Sequence, residues 1–390
     1  MVYVHVPFCR SFCTYCDFYS EIACKGRDTE SFETYTEALC AEISRRKGDP
    51  GAVCDLHTLY IGGGTPSVLD PAHLRRIVGA LRMTGGVPQE PFTEFTVEVN
   101  PEDIVEKGPD YVRALLDLGV NRISMGVQSL DDGILRWMNR RHDAARAREA
   151  VRILRGAGVS NLSLDLIFGL SQLTETTLDA TLDGILGMRP EHISAYQLSI
   201  EEGSTLGAWV RAGRYAEAPQ EQCAAQYARI CRRLREAGYV HYEISNWALP
   251  GHEAVHNSAY WTRSPYIGLG PGAHSFDGTT CSWNPSDLQA WLQQEIPAFA
   301  GMTEGAAASL NPDHSGSDPS HSESLSEAEA REERIFLGLR TAQGIAEGLV
   351  DPAQAAPLLA DGRLVRTGSG RLRIPEDHWF VSDDIIADLI

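Results

Sequence analysis

Six short runs rich in β-branched residues alternate with longer helical stretches in the first 200 residues, and this alternation restricts the fold more than any other feature. The predicted strands are Val2–Val6, His57–Ile61, Glu94–Val99, Arg122–Val127, Asn161–Ile167 and His192–Leu198. The predicted helices are Thr29–Arg46, Pro71–Leu81, Pro109–Leu118, Ala144–Gly156 and Thr174–Met188. Strand–helix–strand units spaced by roughly 30 to 40 residues are typical of a parallel sheet.

Chemically distinctive residues follow every predicted strand. Three cysteines follow the first strand and GGGTP follows the second. The later strands end near Glu98, Gln128, Asp165 and Gln197. A parallel barrel brings all of these ends to one mouth, whereas a doubly wound sheet builds its site at a switch point. Polar groups after every strand favour the barrel, so we predict an α/β fold with a partial (β/α)6 barrel that is open on one side.

The whole chain divides into four predicted parts. Residues 1–200 form the predicted barrel, 201–296 a small α+β accessory region, 297–326 a disordered linker and 327–390 a C-terminal domain. The linker is rich in Ser, Pro, Asp and Gly and nearly free of large apolar residues, which predicts disorder. The last unit has the helix, helix, hairpin and helix order that resembles a winged helix. It lacks a strong basic excess, so we interpret it as a structural module.

Charge and hydropathy exclude several classes of partner. The chain has 34 Lys and Arg against 53 Asp and Glu, a formal net charge of −19. Such a surface repels phosphate backbones and disfavours electrostatic docking on anionic lipid. No apolar run approaches the roughly 20 residues of a membrane span, and the N-terminus does not resemble a signal peptide. We therefore expect a cytoplasmic protein that does not bind nucleic acid, and leave open a peripheral membrane contact.

Three of the nine cysteines are clustered as C-x3-C-x2-C, at Cys9, Cys13 and Cys16. The other six are scattered and are interpreted as small core residues or incidental thiols. Three thiolates can hold three irons of a [4Fe–4S] cubane and leave the fourth iron open for an exchangeable ligand. Structural zinc requires four ligands, and no second CxxC follows. Zinc and accidental spacing are the alternative interpretations.

The cysteine spacing resembles that of the radical S-adenosylmethionine superfamily, and the segments LYIGGGTPS and VEVNP after the next two strands strengthen this resemblance. Further segments narrow it to the coproporphyrinogen-dehydrogenase-like subfamily between residue 3 and about residue 276. These segments are YVHVPFC, YCDFYS, SMGVQS, MNRRH, SLDLIFGL, AYQLS, YEISNWA, HNSAYW and GLGPGAHSF. The C-terminal match is weaker.

The resemblance implies two cofactor sites. A [4Fe–4S] cluster would be bound by Cys9, Cys13 and Cys16. S-adenosylmethionine would contact Tyr3, Tyr15, Gly63, Gly64, Thr65, Glu98, Gln128, Arg140 and Asp165. These residue types suit that ligand, because Arg140 can bind a carboxylate with its planar fork and Glu98 can accept hydrogen bonds from ribose hydroxyls.

Two branches of the subfamily, the dehydrogenases and the haem chaperones, differ in features that can be read from the sequence. The dehydrogenases carry a further cysteine two positions after the third, where this chain has Phe18, and a longer arm before the first strand. In both respects the chain resembles the HemW-type haem chaperones, and HNSAYW fits the HNxxYW pattern of that group. The resemblance implies haem as cargo, with His256 as an iron ligand and Asn257, Tyr260 and Trp261 nearby. For the motif alone, the alternative is a hydrogen-bonded histidine beside buried aromatics.

The resulting expectation is a haem chaperone on a radical S-adenosylmethionine scaffold. It would deliver haem to apo-haemoproteins, with respiratory enzymes as candidate recipients, and homodimer formation is left open. The expected protein lacks coproporphyrinogen dehydrogenase activity, and productive cleavage of S-adenosylmethionine is also left open. The alternatives are an oxygen-independent coproporphyrinogen III dehydrogenase that forms protoporphyrinogen IX, a two-S-adenosylmethionine methyltransferase, and a binding protein without a cluster.

Overall fold

The computed structural model describes residues 1–23, 28–49, 57–83, 91–295 and 321–390. The strands in chain order are β1 (Val2–Val6), β2 (Phe8–Cys9), β3 (Glu21–Ile22), β4 (Thr58–Gly63), β5 (Glu94–Val99), β6 (Arg122–Gln128), β7 (Leu162–Phe168), β8 (His192–Gln197), β9 (Val240–Glu243), β10 (Asn246–Ala248), β11 (Ile267–Leu269), β12 (His274–Phe276), β13 (Thr280–Trp283), β14 (Ser322–Ser324), β15 (Ile345–Ala346), β16 (Val365–Arg366) and β17 (Arg371–Arg373).

The α-helices in the same part of the chain alternate with these strands. They are α1 (Asp28–Arg45), α2 (Pro71–Met83), α3 (Pro101–Asp117), α4 (Asp132–Trp137), α5 (Ala144–Ala157), α6 (Glu175–Gly187), α7 (Thr205–Arg211), α8 (Gln220–Glu236), α9 (Val255–Trp261), α10 (Leu288–Glu295), α11 (Glu327–Leu339), α12 (Pro352–Ala360) and α13 (Ser382–Ala387).

A nine-stranded sheet organises the molecule, in the order β11-β1-β4-β5-β6-β7-β8-β10-β9. Every neighbouring pair from β11 to β8 is parallel, and β10 is antiparallel to both β8 and β9. The six predicted parallel strands are thus confirmed within a mixed α/β fold. The sheet also gains strands at both edges, because the accessory region supplies β11 on one side and β10 with β9 on the other.

The two faces of the parallel strands have opposite chemistry. Val4, Ile61 and Val97 are fully buried in the apolar core beneath the helices. The alternate positions are polar, and the register pairs Glu98 with Ser124 across β5 and β6. Since side chains alternate faces along a strand, one face of the sheet packs on helices and the other lines a polar cavity.

Helix α3 consists of two helical segments, and only the second was predicted. The sequence pattern predicted a helix over Pro109–Leu118. At Gly108 φ is 72° and ψ is −170°, so α3 is broken by a kink there and its second segment begins at Pro109, as predicted. Glycine adopts this positive φ without a steric penalty. The first segment, which begins at Pro101, was not predicted.

The accessory region departs from the prediction in two ways. The segment YVHYEISNWA forms a hairpin of β9 and β10 instead of one strand. The segment HNSAYW, to which no element was assigned, lies in α9. Most of the predicted linker lies outside the described residues, but β14, at its end, pairs with β13. Disorder up to residue 326 was therefore wrong for these last residues.

The C-terminal unit packs a small antiparallel sheet, in the order β15-β17-β16, against α11, α12 and α13. Backbone hydrogen bonds join it to the large sheet, from the amide of Ile244 to the carbonyl of Arg340 (3.0 Å) and from Ala342 to Tyr242 (2.9 Å). Its classification as a winged helix stays a prediction. None of the helices in the described part of the chain combines the length and apolar character that a membrane span requires.

Candidate functional site

A cavity of about 700 Å³ lies inside the curled sheet. It extends from the loop that carries Cys9, Cys13 and Cys16 (the cysteine loop), at the C-terminal ends of the parallel strands, to α9, near their N-terminal ends. All of the predicted site residues line this cavity except Trp261. Residues that are far apart in the sequence are therefore brought to one place, as expected for the mouth of a parallel barrel.

The cysteine loop is held by backbone hydrogen bonds to other elements. The amide of Thr14 donates to the carbonyl of Met138 (3.1 Å), and Thr14 accepts from the amide of Leu206 (2.8 Å). Cys9, Cys13 and Cys16 are free thiols of intermediate exposure. Burial raises the pKa of Cys9, and that of Cys16 to about 11. The loop thus presents three thiols that form no disulfide to the cavity, from a backbone held in place by neighbouring elements.

The spacing of these sulfurs fits a group larger than one zinc ion. Within the described ranges, the three do not belong to any set of ligand atoms that all lie within 4.8 Å of one another. Two thiolates on one tetrahedral zinc lie roughly 4 Å apart, since each Zn–S bond is about 2.3 Å. Three separate thiolates are the donor set of a cubane with one open iron. The residues therefore fit a [4Fe–4S] cluster better than zinc.

Two glycines at the end of β4, Gly63 and Gly64, allow the backbone to approach the cysteine loop. A Cβ atom at Gly64 would lie 2.9 Å from the carbonyl oxygen of Phe8 and 3.1 Å from Cys9 Sγ. Gly63 has φ of 111°, and a Cβ there would lie 2.6 Å from the ring of His5. Neither position tolerates a larger residue without movement of its neighbours. Next to them, Thr65 Oγ1 lies 3.4 Å from Cys9 Sγ.

Arg140 connects the cysteine loop to the ends of two strands. Its guanidinium donates to Cys13 Sγ (3.4 Å), to Asn100 Oδ1 (2.6 Å) and to the carbonyl of Gly126 (2.8 Å). Its Nε is buried and has no partner among the described residues. The group carries a positive charge beside three thiols, where it can stabilise thiolates or bind a ligand carboxylate.

Glu98 and Asp165 place two carboxyl groups on the inner face of the sheet. Glu98 Oε1 accepts from the hydroxyl of Tyr60 (2.6 Å), and Oε2 accepts from the amide of Gly63 (3.1 Å). Burial raises the pKa of Glu98 to about 7, and the nearby Asp165 adds to this rise. Burial also raises the pKa of Asp165, which accepts from Ser124 at 3.4 Å. Both groups can accept hydrogen bonds from ligand hydroxyls.

Three other predicted nucleoside contacts lie around these carboxyl groups. Tyr3 stacks on Tyr60 with ring centroids 6.1 Å apart, and its hydroxyl lies 3.1 Å from His5 Nδ1. Gln128 ends β6 with φ of 64°, a value uncommon for a residue other than glycine. Tyr15 reaches the cavity from between two of the cysteines.

Several cavity residues were not predicted from the sequence, notably Tyr60, Asn100, Arg122 and Tyr196. Tyr60 lies within LYIGGGTPS, Asn100 within VEVNP and Tyr196 within AYQLS, so these motifs could have suggested all three. Arg122 was assigned only to a strand. It is 3% exposed, its buried Nε has no partner among the described residues, and its positive charge opposes the rise that burial gives the pKa of Asp165.

Helix α9 closes the lower end of the cavity. Its first two amides, of Val255 and His256, donate to the carboxylate of Glu94 at 2.7 and 3.1 Å. The His256 side chain is buried, with Nδ1 2.8 Å from Thr58 Oγ1 and Nε2 3.0 Å from the hydroxyl of Tyr260. Burial lowers the pKa of His256 to about 3. The imidazole is therefore neutral, and both ring nitrogens have hydrogen-bond partners.

The rest of the HNxxYW motif does not form a single surface. Asn257 and Tyr260 line the cavity beside His256. Trp261 does not line it, and its indole Nε1 is buried without a partner in the described part of the chain. The reason is geometric, because consecutive residues of a helix point in directions about 100° apart. Tyr260 and Trp261 were predicted to share one ligand, and the structure does not bring them together.

Comparison with known proteins identifies the family. Residues 3–185 match the sequence profile of the Radical SAM superfamily. The chain is 33% identical over 383 residues to a protein named heme chaperone HemW from Mycobacterium tuberculosis (strain CDC 1551 / Oshkosh), covering 95% of this chain and 92% of that relative. This chain belongs to the HemW family of the radical SAM superfamily.

Two further comparisons agree with membership of the HemW family. HemW from Bacillus subtilis (strain 168) is 31% identical over 345 residues, covering 88% of this chain and 84% of that protein. The solved structure of coproporphyrinogen III oxidase (HemN) from Escherichia coli superposes with a TM-score of 0.77 at 21% identity, covering 99% of this chain and 89% of that one. The HemN likeness establishes the fold, and the predicted family is confirmed.

Proposed function

We propose that this protein is a haem chaperone that binds haem and passes it to apo-haemoproteins. The observation that carries the proposal is its 33% identity to a named heme chaperone along 92% of that protein's length. The HNxxYW segment, whose histidine lines the same cavity as the three cysteines, supports it. The alternative of coproporphyrinogen decarboxylation has weaker support, since the likeness to HemN concerns the fold.

The proposed cofactors are a [4Fe–4S] cluster and S-adenosylmethionine. Cys9, Cys13 and Cys16 would hold the cluster, which supplies an open iron for the amino and carboxylate groups of S-adenosylmethionine. Arg140 would bind that carboxylate or balance the charge of the thiolates. Glu98 and Asp165 would accept hydrogen bonds from hydroxyl and amino groups of the nucleoside. The glycines of GGGTP let the backbone pass close to the cysteine loop, where a larger side chain would collide with neighbouring atoms.

The proposed haem ligand is His256, through Nε2. The Thr58 hydroxyl lies 2.8 Å from Nδ1 and can accept a hydrogen bond from it, which orients the ring as the outer partners of metal-bound histidines do. Nε2 is engaged by Tyr260 at 3.0 Å, so iron binding at this atom requires the Tyr260 hydroxyl to move away. The neutral imidazole that burial imposes is the form that binds metal.

Haem titration of the full-length protein tests the proposal. Wild type is expected to give a saturable Soret change, and His256→Ala to lose most of the affinity. Tyr260→Phe is expected to bind haem at least as tightly, because Nε2 loses its competing partner. His378→Ala, at a half-buried residue of the C-terminal unit, is the control. Binding by His256→Ala with unchanged affinity and spectrum would remove His256 from the site.

A second assay separates the chaperone from the enzyme. The reconstituted protein is incubated anaerobically with coproporphyrinogen III, S-adenosylmethionine and a reductant, with Cys13→Ala as the cluster-deficient control. The proposed chaperone forms no protoporphyrinogen IX. Formation of that product by wild type but not by Cys13→Ala would establish the decarboxylase instead.

The proposed setting follows from the family resemblance. We propose a cytoplasmic location, with respiratory haemoproteins among the recipients, and leave homodimer formation as a point to measure. Transfer from haem-loaded protein to an apo-cytochrome, followed by the change in absorbance of the recipient, is the direct assay.

A further inference from the structure

A second group of metal-ligating side chains lies outside the cavity. Cys231 on α8, His241 on β9 and Glu376 at the start of the 3-10 turn Glu376–Val381 bring their ligand atoms within 4.8 Å of one another. His241 Nδ1 lies between the other two, 4.0 Å from Cys231 Sγ and 3.0 Å from Glu376 Oε1. None of the three residues lines the cavity.

The ring of His241 faces a hydrogen-bond acceptor at each nitrogen. Nδ1 faces the Glu376 carboxylate, and Nε2 lies 3.3 Å from the carbonyl oxygen of Ile244. A neutral imidazole has one N–H, so either tautomer leaves a nitrogen lone pair against an acceptor oxygen. Only a second proton or a bound cation removes this conflict.

The ring is also held in one orientation. His241 stacks on Trp247 with ring centroids 3.9 Å apart and an interplanar angle of 16°. Its ring centroid lies 4.2 Å from that of Trp379, at an interplanar angle of 71°. Its side chain is 4% exposed. An imidazole packed in this way cannot turn away to relieve the contact at Nδ1. The conflict is therefore a fixed property of the fold.

The surroundings supply the partners that metal ligands need. Glu376 Oε2 accepts from Arg235 Nη2 at 2.5 Å, which leaves Oε1 directed at His241 and Cys231. In the Nε2–H tautomer, the carbonyl of Ile244 accepts from the ring and Nδ1 is free to bind a cation. Ligating histidines and carboxylates in proteins generally have such outer partners.

We propose that Cys231, His241 and Glu376 form a zinc site. Thiolate, imidazole and carboxylate are all zinc ligands, and in a tetrahedral site they lie roughly 3 to 4 Å apart, close to the separations found here. The two anionic ligands balance the charge of Zn²⁺, and water takes the fourth position. The site joins α8 and β9 to the C-terminal unit, so zinc stabilises that contact.

Zinc content measured beside iron content tests the site. Full-length protein with its cluster reconstituted anaerobically is exposed to excess Zn²⁺, desalted and analysed for both metals. Wild type is expected to retain one zinc per chain more than Cys231→Ala, at equal iron content. Cys223→Ala is the matched control, because Cys223 is also a buried cysteine on α8 but lies outside the group.

Two further measurements keep the result interpretable if Cys231→Ala folds poorly. Glu376→Gln changes a more exposed ligand and is expected to abolish the rise in melting temperature that zinc gives wild type. Zinc X-ray absorption of wild type is expected to show one sulfur at about 2.3 Å with lighter ligands. Equal zinc in wild type, Cys231→Ala and Glu376→Gln, or zinc bound only by Cys9, Cys13 and Cys16, would overturn the proposal.

Discussion

Glu98 ends a strand whose sequence, VEVNP, places a carboxylate at the mouth of the barrel. Its partners come from elsewhere, since Tyr60 and Gly63 on β4 bind its two oxygens and Asp165 on β7 contributes a nearby negative charge. The position of Glu98 could be predicted from its motif. Its partners could not, because they depend on the register between strands, which local sequence does not encode.

The raised pKa of Glu98 predicts a stability that depends on pH. In the folded protein the pKa is about 7 instead of 4.5, so the folded state favours the protonated form. The contribution of Glu98 to stability is therefore present below pH 4.5 and is lost as pH rises through 7. Relative to Glu98→Gln, we expect the free energy of unfolding of wild type to fall by up to about 3 kcal/mol across this range.

Urea denaturation of the ligand-free protein at several pH values measures this difference. Glu149→Gln, which removes a carboxylate from an exposed helical ion pair, is the control and is expected to show a nearly constant difference from wild type. Parallel stability profiles for wild type and Glu98→Gln would show that Glu98 ionises normally.

Arg122 balances the charge of a buried carboxyl group. Its side chain is buried at the cavity, and its positive charge opposes the rise that burial gives the pKa of Asp165. Removing this charge leaves Asp165 without that compensation, so Arg122→Met should lower the stability of the ligand-free protein by about 1 kcal/mol or more. Thermal melts check this, with the exposed Arg75→Met as control. An unchanged or higher melting temperature for Arg122→Met would show that Asp165 does not depend on Arg122.

Helix α9 shows why one element of the site was not predicted. Its seven residues, VHNSAYW, include His, Asn, Ser, Tyr and Trp, which have modest helix propensity. Short helices of this kind form because tertiary contacts stabilise them. Here Glu94 binds the first two amides, and it lies more than 160 residues away in the sequence. The motif could be found from the sequence, but its conformation could not.

Glu94→Gln should loosen α9. The variant replaces one carboxylate oxygen by an NH₂ group that faces a backbone donor, which should cost about 1 to 3 kcal/mol. Hydrogen exchange of residues 255–261 is expected to accelerate, and haem affinity to fall if His256 binds iron. Glu253→Gln is the matched control, since Glu253 lies beside α9 and has no hydrogen bond or ion pair in the described structure. Unchanged exchange in Glu94→Gln would contradict this role.

At the scale of the whole molecule, the six parallel strands could be predicted because each is a short β-branched run in the sequence and helical stretches lie between them. The edge strands could not, since β11 pairs with β1 although more than 260 residues separate them. The antiparallel pair β10–β9 closes the other edge and carries the contact with the C-terminal unit. Such long-range pairings depend on the assembled sheet and leave little trace in hydrophobic periodicity.

The contact between the C-terminal unit and the large sheet predicts that they unfold together. Trp379 is 2% exposed, donates from Nε1 to the carbonyl of Ile374 (2.9 Å) and packs against His241 on β9. Trp379→Ala should cost about 3 to 5 kcal/mol, because it leaves a cavity between the two parts. If they are one cooperative unit, calorimetry will show a single transition at lower temperature. Trp283→Ala, at a half-buried residue of β13, should lower it much less. A new early transition, with the main one unchanged, would instead show that the C-terminal unit unfolds independently.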